Sequence, residues 1–111
     1  MTLTTHVLDT ARGRPAAGLR VTVEARHGDG WTRVGAGVTD ADGRVPGLVP
    51  DGALAAGTLR LTFATGDWFA AEGLDGFYPQ VQVVCRIDDP GAHYHVPLLL
   101  SPYGYSTYRG S

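Results

Sequence analysis

The sequence has 111 residues, 43% hydrophobic and 18% charged, a balance that fits one folded domain over 1–111 and excludes a disordered chain. Nine basic and eleven acidic side chains give a formal net charge of -2, with no basic stripe and no acidic tail, so neither nucleic acid nor an anionic membrane is expected as a partner. The one cysteine, Cys85, excludes an intramolecular disulfide scaffold.

Cys85 stands among Val83, Val84 and Ile87 and reads as a small buried hydrophobe, since a nucleophilic thiol wants an electropositive, partly exposed site. No apolar run approaches the roughly 18 residues of a membrane span. Met1-Thr-Leu-Thr-Thr-His6 lacks a basic region followed by an apolar stretch, so no signal peptide is expected and the cytoplasm is the expected compartment.

Sixteen Gly and seven Pro punctuate the chain, and short runs with period-2 alternation lie between them. That pattern predicts an all-β sandwich of about eight strands. The first run is Thr4 to Asp9, with Thr5 and Val7 on one face and His6 and Leu8 on the other. Arg12-Gly-Arg-Pro15 is a turn. Leu19 to His27 alternates, Leu19, Val21, Val23 and Ala25 inward and Arg20, Thr22, Glu24 and Arg26 outward. Gly28-Asp-Gly30 signals a hairpin, and Trp31 to Val38 returns. Asp40-Ala-Asp-Gly43 is a turn, and Arg44-Val45 opens a short edge strand that Pro46 ends.

Pro50 to Gly57 is loop. Thr58 to Ala64 is a strand with Leu59, Leu61 and Phe63 inward. Thr65 to Gly73 is the one short helix, with Thr65 as its cap, Asp67 in its first turn and Gly73 at its end. A helix of two turns is not stable alone, so it must pack through Trp68 and Phe69. Val81 to Ile87 is a further strand and Asp88-Asp-Pro-Gly91 a turn. The last nineteen residues, from His93 to Ser111, form two β-patterned runs hinged at Ser101-Pro102-Tyr103-Gly104.

In the run from His93, Tyr94, Val96, Leu98 and Leu100 are uniformly apolar and must face the core. His93, His95, Pro97 and Leu99 therefore point out of the sandwich. Ser106, Tyr108 and Gly110 share one face of the last run, and Tyr105, Thr107 and Arg109 the other. A face that mixes Leu with His suggests a surface covered by another subunit, with a cavity left between them.

Three chemistries fit these residues. His93-Tyr-His95 places two imidazoles on one side of a strand, with His6 as a third zinc ligand, but no carboxylate is fixed beside them and the signal is weak. Metal-free hydrolysis needs a base near neutrality, which His supplies, and a cation for the developing oxyanion, which Arg44 or Arg109 supplies. The third is binding without chemistry. There is no Gly-rich phosphate loop and no nucleophile elbow.

Three motifs carry a resemblance over essentially the whole chain. They are Leu3-Thr-Thr-His6-Val-Leu-Asp9-Thr-Ala-Arg-Gly-Arg-Pro15-Ala, then Asp40-Ala-Asp-Gly-Arg44 with Gly76-Phe-Tyr-Pro79, then His93-Tyr-His95 through Tyr108-Arg-Gly-Ser111. With these the chain resembles the 5-hydroxyisourate hydrolases, transthyretin-like enzymes of urate catabolism. The terminal Tyr-Arg-Gly-Ser is the specific part, because it separates these enzymes from the carrier transthyretin. The resemblance implies a prealbumin-like sandwich, a homotetramer and active sites in the channel between two dimers. It further implies hydrolysis of 5-hydroxyisourate to 2-oxo-4-hydroxy-4-carboxy-5-ureidoimidazoline without metal or cofactor. By motif position it makes His6, Arg44, His95 and Tyr108 the functional residues, with Arg109-Gly110-Ser111 completing the pocket and Ser111 among the substrate-binding groups. His93 receives no role from it and reads as structural. A transthyretin-like carrier of small ligands is the alternative reading.

Overall fold

Alternating apolar residues decide the layering of the chain. In β1 (Thr2–Asp9) Leu3, Thr5, Val7 and Asp9 are buried while Thr4, His6 and Leu8 stay partly exposed. β3 (Arg20–His27) buries Val21 and Val23, and β5 (Gly57–Phe63) buries Leu59, Leu61 and Phe63. β7 (His93–Ser101) buries Tyr94, Val96, Leu98 and Leu100. These inward faces meet in one hydrophobic cluster. Each fully buried Val, Leu or Phe contributes about 1.5–3 kcal/mol, so a one-residue register slip, which would turn the whole apolar face outward, is strongly disfavoured.

The computed structural model describes residues 2–111, Thr2 by its backbone alone. The remaining elements are β2 (Arg14–Pro15), β4 (Gly30–Val38), α1 (Thr65–Ala71), β6 (Val81–Ile87) and β8 (Gly104–Thr107). The strands form two four-stranded sheets, ordered β2-β1-β7-β8 and β4-β3-β5-β6. The expected all-β sandwich with one short helix is therefore observed. β1 runs parallel to β7, pairing Thr4 with His95 and His6 with Pro97, whereas β7 and β8 are antiparallel. Pairing between the two ends of the chain is what builds the first sheet.

Three expectations need correction. Arg14 and Pro15, read as the end of a turn, pair with Asp9 and Leu8 as the two-residue strand β2. The helix is capped by Ala64 without a side-chain bond, and Thr65 is its first residue. Thr65 is buried, and its hydroxyl donates to the Tyr78 carbonyl at 2.8 Å, so the side chain is engaged away from the helix end. Gly73, by contrast, follows the final turn with φ 70°, the left-handed conformation expected of a terminating glycine. The edge strand expected at Arg44-Val45 shrinks to a single antiparallel bridge between Arg44 and His6. Pro46, which has no amide hydrogen, prevents its extension.

The helix docks as expected. Trp68 and Phe69 are both buried, and the Trp68 indole donates to the Ala17 carbonyl at 2.8 Å. Arg12 lies over the Trp68 ring and pairs with Asp9 at 2.6 Å and Glu72 at 2.7 Å, which ties the β1–β2 turn to the helix end. No helix among the described residues is long and apolar enough to cross a membrane.

Candidate active site

The site lies on the outer face of the β2-β1-β7-β8 sheet. The same alternation that buries Val7 and Val96 presents His6 from β1 and His95 from β7 on the opposite side. Arg44 arrives from elsewhere. The Asp40 carboxylate accepts from the Asp42 amide at 2.9 Å and the Arg44 amide at 3.0 Å, closing the predicted turn. Gly43 turns with φ 78° and its carbonyl accepts from the Val7 amide at 2.8 Å. A side chain at Gly43 would collide with the Val7 carbonyl oxygen, so the close approach that sets Arg44 against His6 requires glycine there.

The chain end closes the other flank. The β7–β8 ladder pairs Leu98 with Thr107, and three residues further along each strand His95 bridges to Gly110. The bridge keeps the offset of the ladder, and Tyr108 and Arg109 lie unpaired between the two. The Gly110 amide donates to the His95 carbonyl at 2.8 Å. Tyr108 is 60% exposed and Ser111 is exposed, so the tail offers both to the surface.

Arg109, weighed with Arg44 as the substrate cation, takes the opposite parity. Its guanidinium stacks 4.7 Å from the centroid of Tyr94, a residue of the core face. Arg44 is bridged to His6, while Arg109 shares a concavity with His95 and Tyr108. His93 stacks against His95 with ring centroids 6.4 Å apart.

Burial pushes the His95 imidazole below its ordinary pKa, and the positive charges of Arg44, His93 and His6 push the same way, against a hydrogen bond that the ring gives to the Thr4 backbone. All three groups are thus electrostatic neighbours of His95. The effect is a neutral imidazole near neutral pH, which is the form a general base requires.

Arg44, His95 and Tyr108 line two separate concavities, and His6 and Ser111 line neither. A cleft of about 390 Å³ is lined by Arg44 with Thr4, Asp40 and Pro46. A second, of about 230 Å³, is lined by His95, Tyr108, Arg109, Tyr94 and Cys85. Neither holds His6, Arg44, His95 and Tyr108 together. Cys85 is half-buried, and burial raises its thiol pKa, which suits the inert role expected of it. Among the described residues no group of three His, Cys, Asp or Glu is placed to hold a metal ion, so His6, His93 and His95 do not converge as ligands.

One contact escaped the reading of the motifs. Thr4 Oγ1 lies 2.8 Å from His95 Nδ1. Its only signal in the sequence was that Thr4 shares the outward parity of His6.

The family model described as HIUase/Transthyretin matches residues 3–110. The chain is 49% identical to the 5-hydroxyisourate hydrolase of Salmonella typhimurium over 109 residues, 98% of this chain and 80% of that protein. Among solved structures, that of the Klebsiella pneumoniae 5-hydroxyisourate hydrolase superposes with a TM-score of 0.87 at 38% identity, covering 100% of both chains. Sea bream transthyretin in complex with thyroxine superposes with a TM-score of 0.92 at 33% identity, covering 99% of this chain and 95% of that one. The backbone is shared by enzyme and carrier alike, while the sequence lies nearer the enzymes. The chain belongs to the HIUase/Transthyretin family.

Proposed function

We propose that this chain hydrolyses 5-hydroxyisourate to 2-oxo-4-hydroxy-4-carboxy-5-ureidoimidazoline, acting as a cyclic amide hydrolase. The supporting observation is the gathering of His6, Arg44 and His95 on one outer face, beside the bridge that Gly110 makes to His95. The enzyme relatives, at 49% identity, favour this reading over small-ligand carriage.

In the proposed mechanism Arg44 binds the carbonyl oxygens of the flat, oxygen-rich ring, and Tyr108 and Ser111 add hydrogen bonds. His95, with His6, removes a proton from water. The water oxygen forms a bond to the ring carbonyl carbon, and Arg44 stabilises the oxyanion that develops. The C–N bond of the ring amide then breaks, and the proton held by the imidazole passes to the leaving nitrogen. The ring opens with one water consumed, and neither a metal nor a cofactor enters the steps.

The assembly belongs to the same proposal. A homotetramer whose dimers meet across this sheet face would cover His6 and His95 with a second subunit. The cytoplasm is the proposed compartment.

The deciding measurement is the absorbance decay of freshly prepared 5-hydroxyisourate. Decay well above the spontaneous rate supports catalysis. Saturable binding of a small aromatic with no change in that decay would instead establish a carrier.

A further inference from the structure

We propose that Thr4 is a positioning residue that fixes the tautomer of His95 and couples it to His93. The inference rests on the hydrolase reading for its consequence, but not for its geometry. Thr4 is paired with His95 in the parallel β1–β7 ladder, so both side chains leave the same face at the same level. Its Oγ1 sits 2.8 Å from His95 Nδ1 and 3.5 Å from His93 Nε2. The hydroxyl therefore bridges two imidazoles that stand stacked on one strand.

The contact admits either tautomer of His95, and the proposed bridge uses the one with Nδ1 protonated. A hydroxyl has one hydrogen to give and lone pairs to receive. Nδ1–H then donates to Thr4 Oγ1, and the Thr4 hydroxyl hydrogen turns to His93 Nε2. His95 Nε2 is left with its lone pair directed away from Thr4. A histidine base needs its working nitrogen unprotonated and its other nitrogen held, and the holding group decides the tautomer. The sequence motifs left His93 and Thr4 without a role; here they form one chain, His95 to Thr4 to His93.

Besides His93, Arg44 from the turn after Asp40 and His6 on β1 act on His95, and Tyr108 and Arg109 on the tail share its concavity. Arg44, His93 and His6 each disfavour a second proton on His95, so the neutral ring keeps the single proton that Thr4 accepts.

The first test needs no substrate. Nitrogen-15 NMR of the full-length wild-type protein, with labelled histidine, reads which ring nitrogen of His95 carries the proton. The expected result is Nδ1–H; an Nε2–H tautomer overturns the proposal. The second test compares Thr4→Val, which keeps the shape without the hydroxyl, with Thr4→Ser, which restores it. Thr4→Val is expected to lower kcat on the order of tenfold, part of the about 10²–10⁴-fold a positioned base supplies, with KM little changed. It should also mix the His95 tautomers, and Thr4→Ser should recover most of the rate and the wild-type nitrogen shifts. Thr4→Val with wild-type kcat, pH profile and tautomer overturns the proposal. Wild-type protein that fails to speed 5-hydroxyisourate decay sinks the hydrolase reading alone, because the tautomer is read without it.

Discussion

Gly110 packs its backbone directly against the imidazole of His95. Its amide donates to the His95 carbonyl at 2.8 Å, and a β-carbon at position 110 would stand 2.5 Å from the ring Cδ2. The chain end is therefore the wall that holds a candidate catalytic ring in place.

Gly110→Ala should displace either the ring or the tail. A misplacement of about 1 Å near the reacting groups can cost on the order of 10²-fold in rate. The variant should keep a wild-type circular dichroism spectrum and lose about that much kcat. Wild-type turnover by Gly110→Ala would show that the ring tolerates the shift.

His6→Ala, Arg44→Ala and His95→Ala should each stay folded, because all three side chains leave the outer face and none belongs to the hydrophobic cluster. Loss of an imidazole base is expected to cost about 10²–10⁴-fold in activity. Loss of the Arg44 guanidinium is expected to cost about 10²–10³-fold if it stabilises the oxyanion. The readouts are initial rates on fresh 5-hydroxyisourate beside thermal melts. Rates near wild type in all three would refute the assignment.

The sandwich and the candidate face were legible in the sequence because both follow from alternation, which is local. Val96 and His95 need only be neighbours in a strand to be assigned opposite faces. The helix cap was misread for a physical reason: the Thr65 hydroxyl has a better partner in the Tyr78 carbonyl, thirteen residues away. The Arg44 strand was overdrawn because Asp40, by tying the turn, and Pro46, by lacking an amide hydrogen, leave room for one bridge. The Thr4–His95 contact was out of reach. It spans ninety-one residues and depends on the parallel register of β1 on β7, which no local pattern reports.

The pH dependence has a definite sign. The His95 imidazole titrates below the ordinary value of about 6.5 because of burial and its cationic neighbours. Between the folded and unfolded values the unfolded chain binds more protons at this position, so His95 makes stability rise with pH across that window and fall as acid is added. The base itself stays neutral down to the lower, folded value. The acid limb of kcat/KM should therefore lie below pH about 6.5. Arg44→Ala removes one of the depressing charges, so NMR titration should find His95 moved upward in that variant. A limb above the ordinary value, or a His95 that moves downward without Arg44, would contradict this account.

Deleting residues 108–111 separates the chemistry from the fold. β8 ends at Thr107, whose hydroxyl still donates to the Pro97 carbonyl at 2.7 Å, so the β7–β8 ladder survives the cut. Among the described residues the losses include the backbone hydrogen bond from Gly110 to His95 and the Arg109 stack on Tyr94. Together these are worth about 1–2.5 kcal/mol, within the margin of a typical domain. The truncated chain is expected to melt cooperatively at a modestly lower temperature, and to lose most of its turnover because Tyr108, Ser111 and the wall behind His95 are gone. An unfolded product would mean that the tail is part of the sandwich core, and full activity would mean that His6, Arg44 and His95 suffice without it.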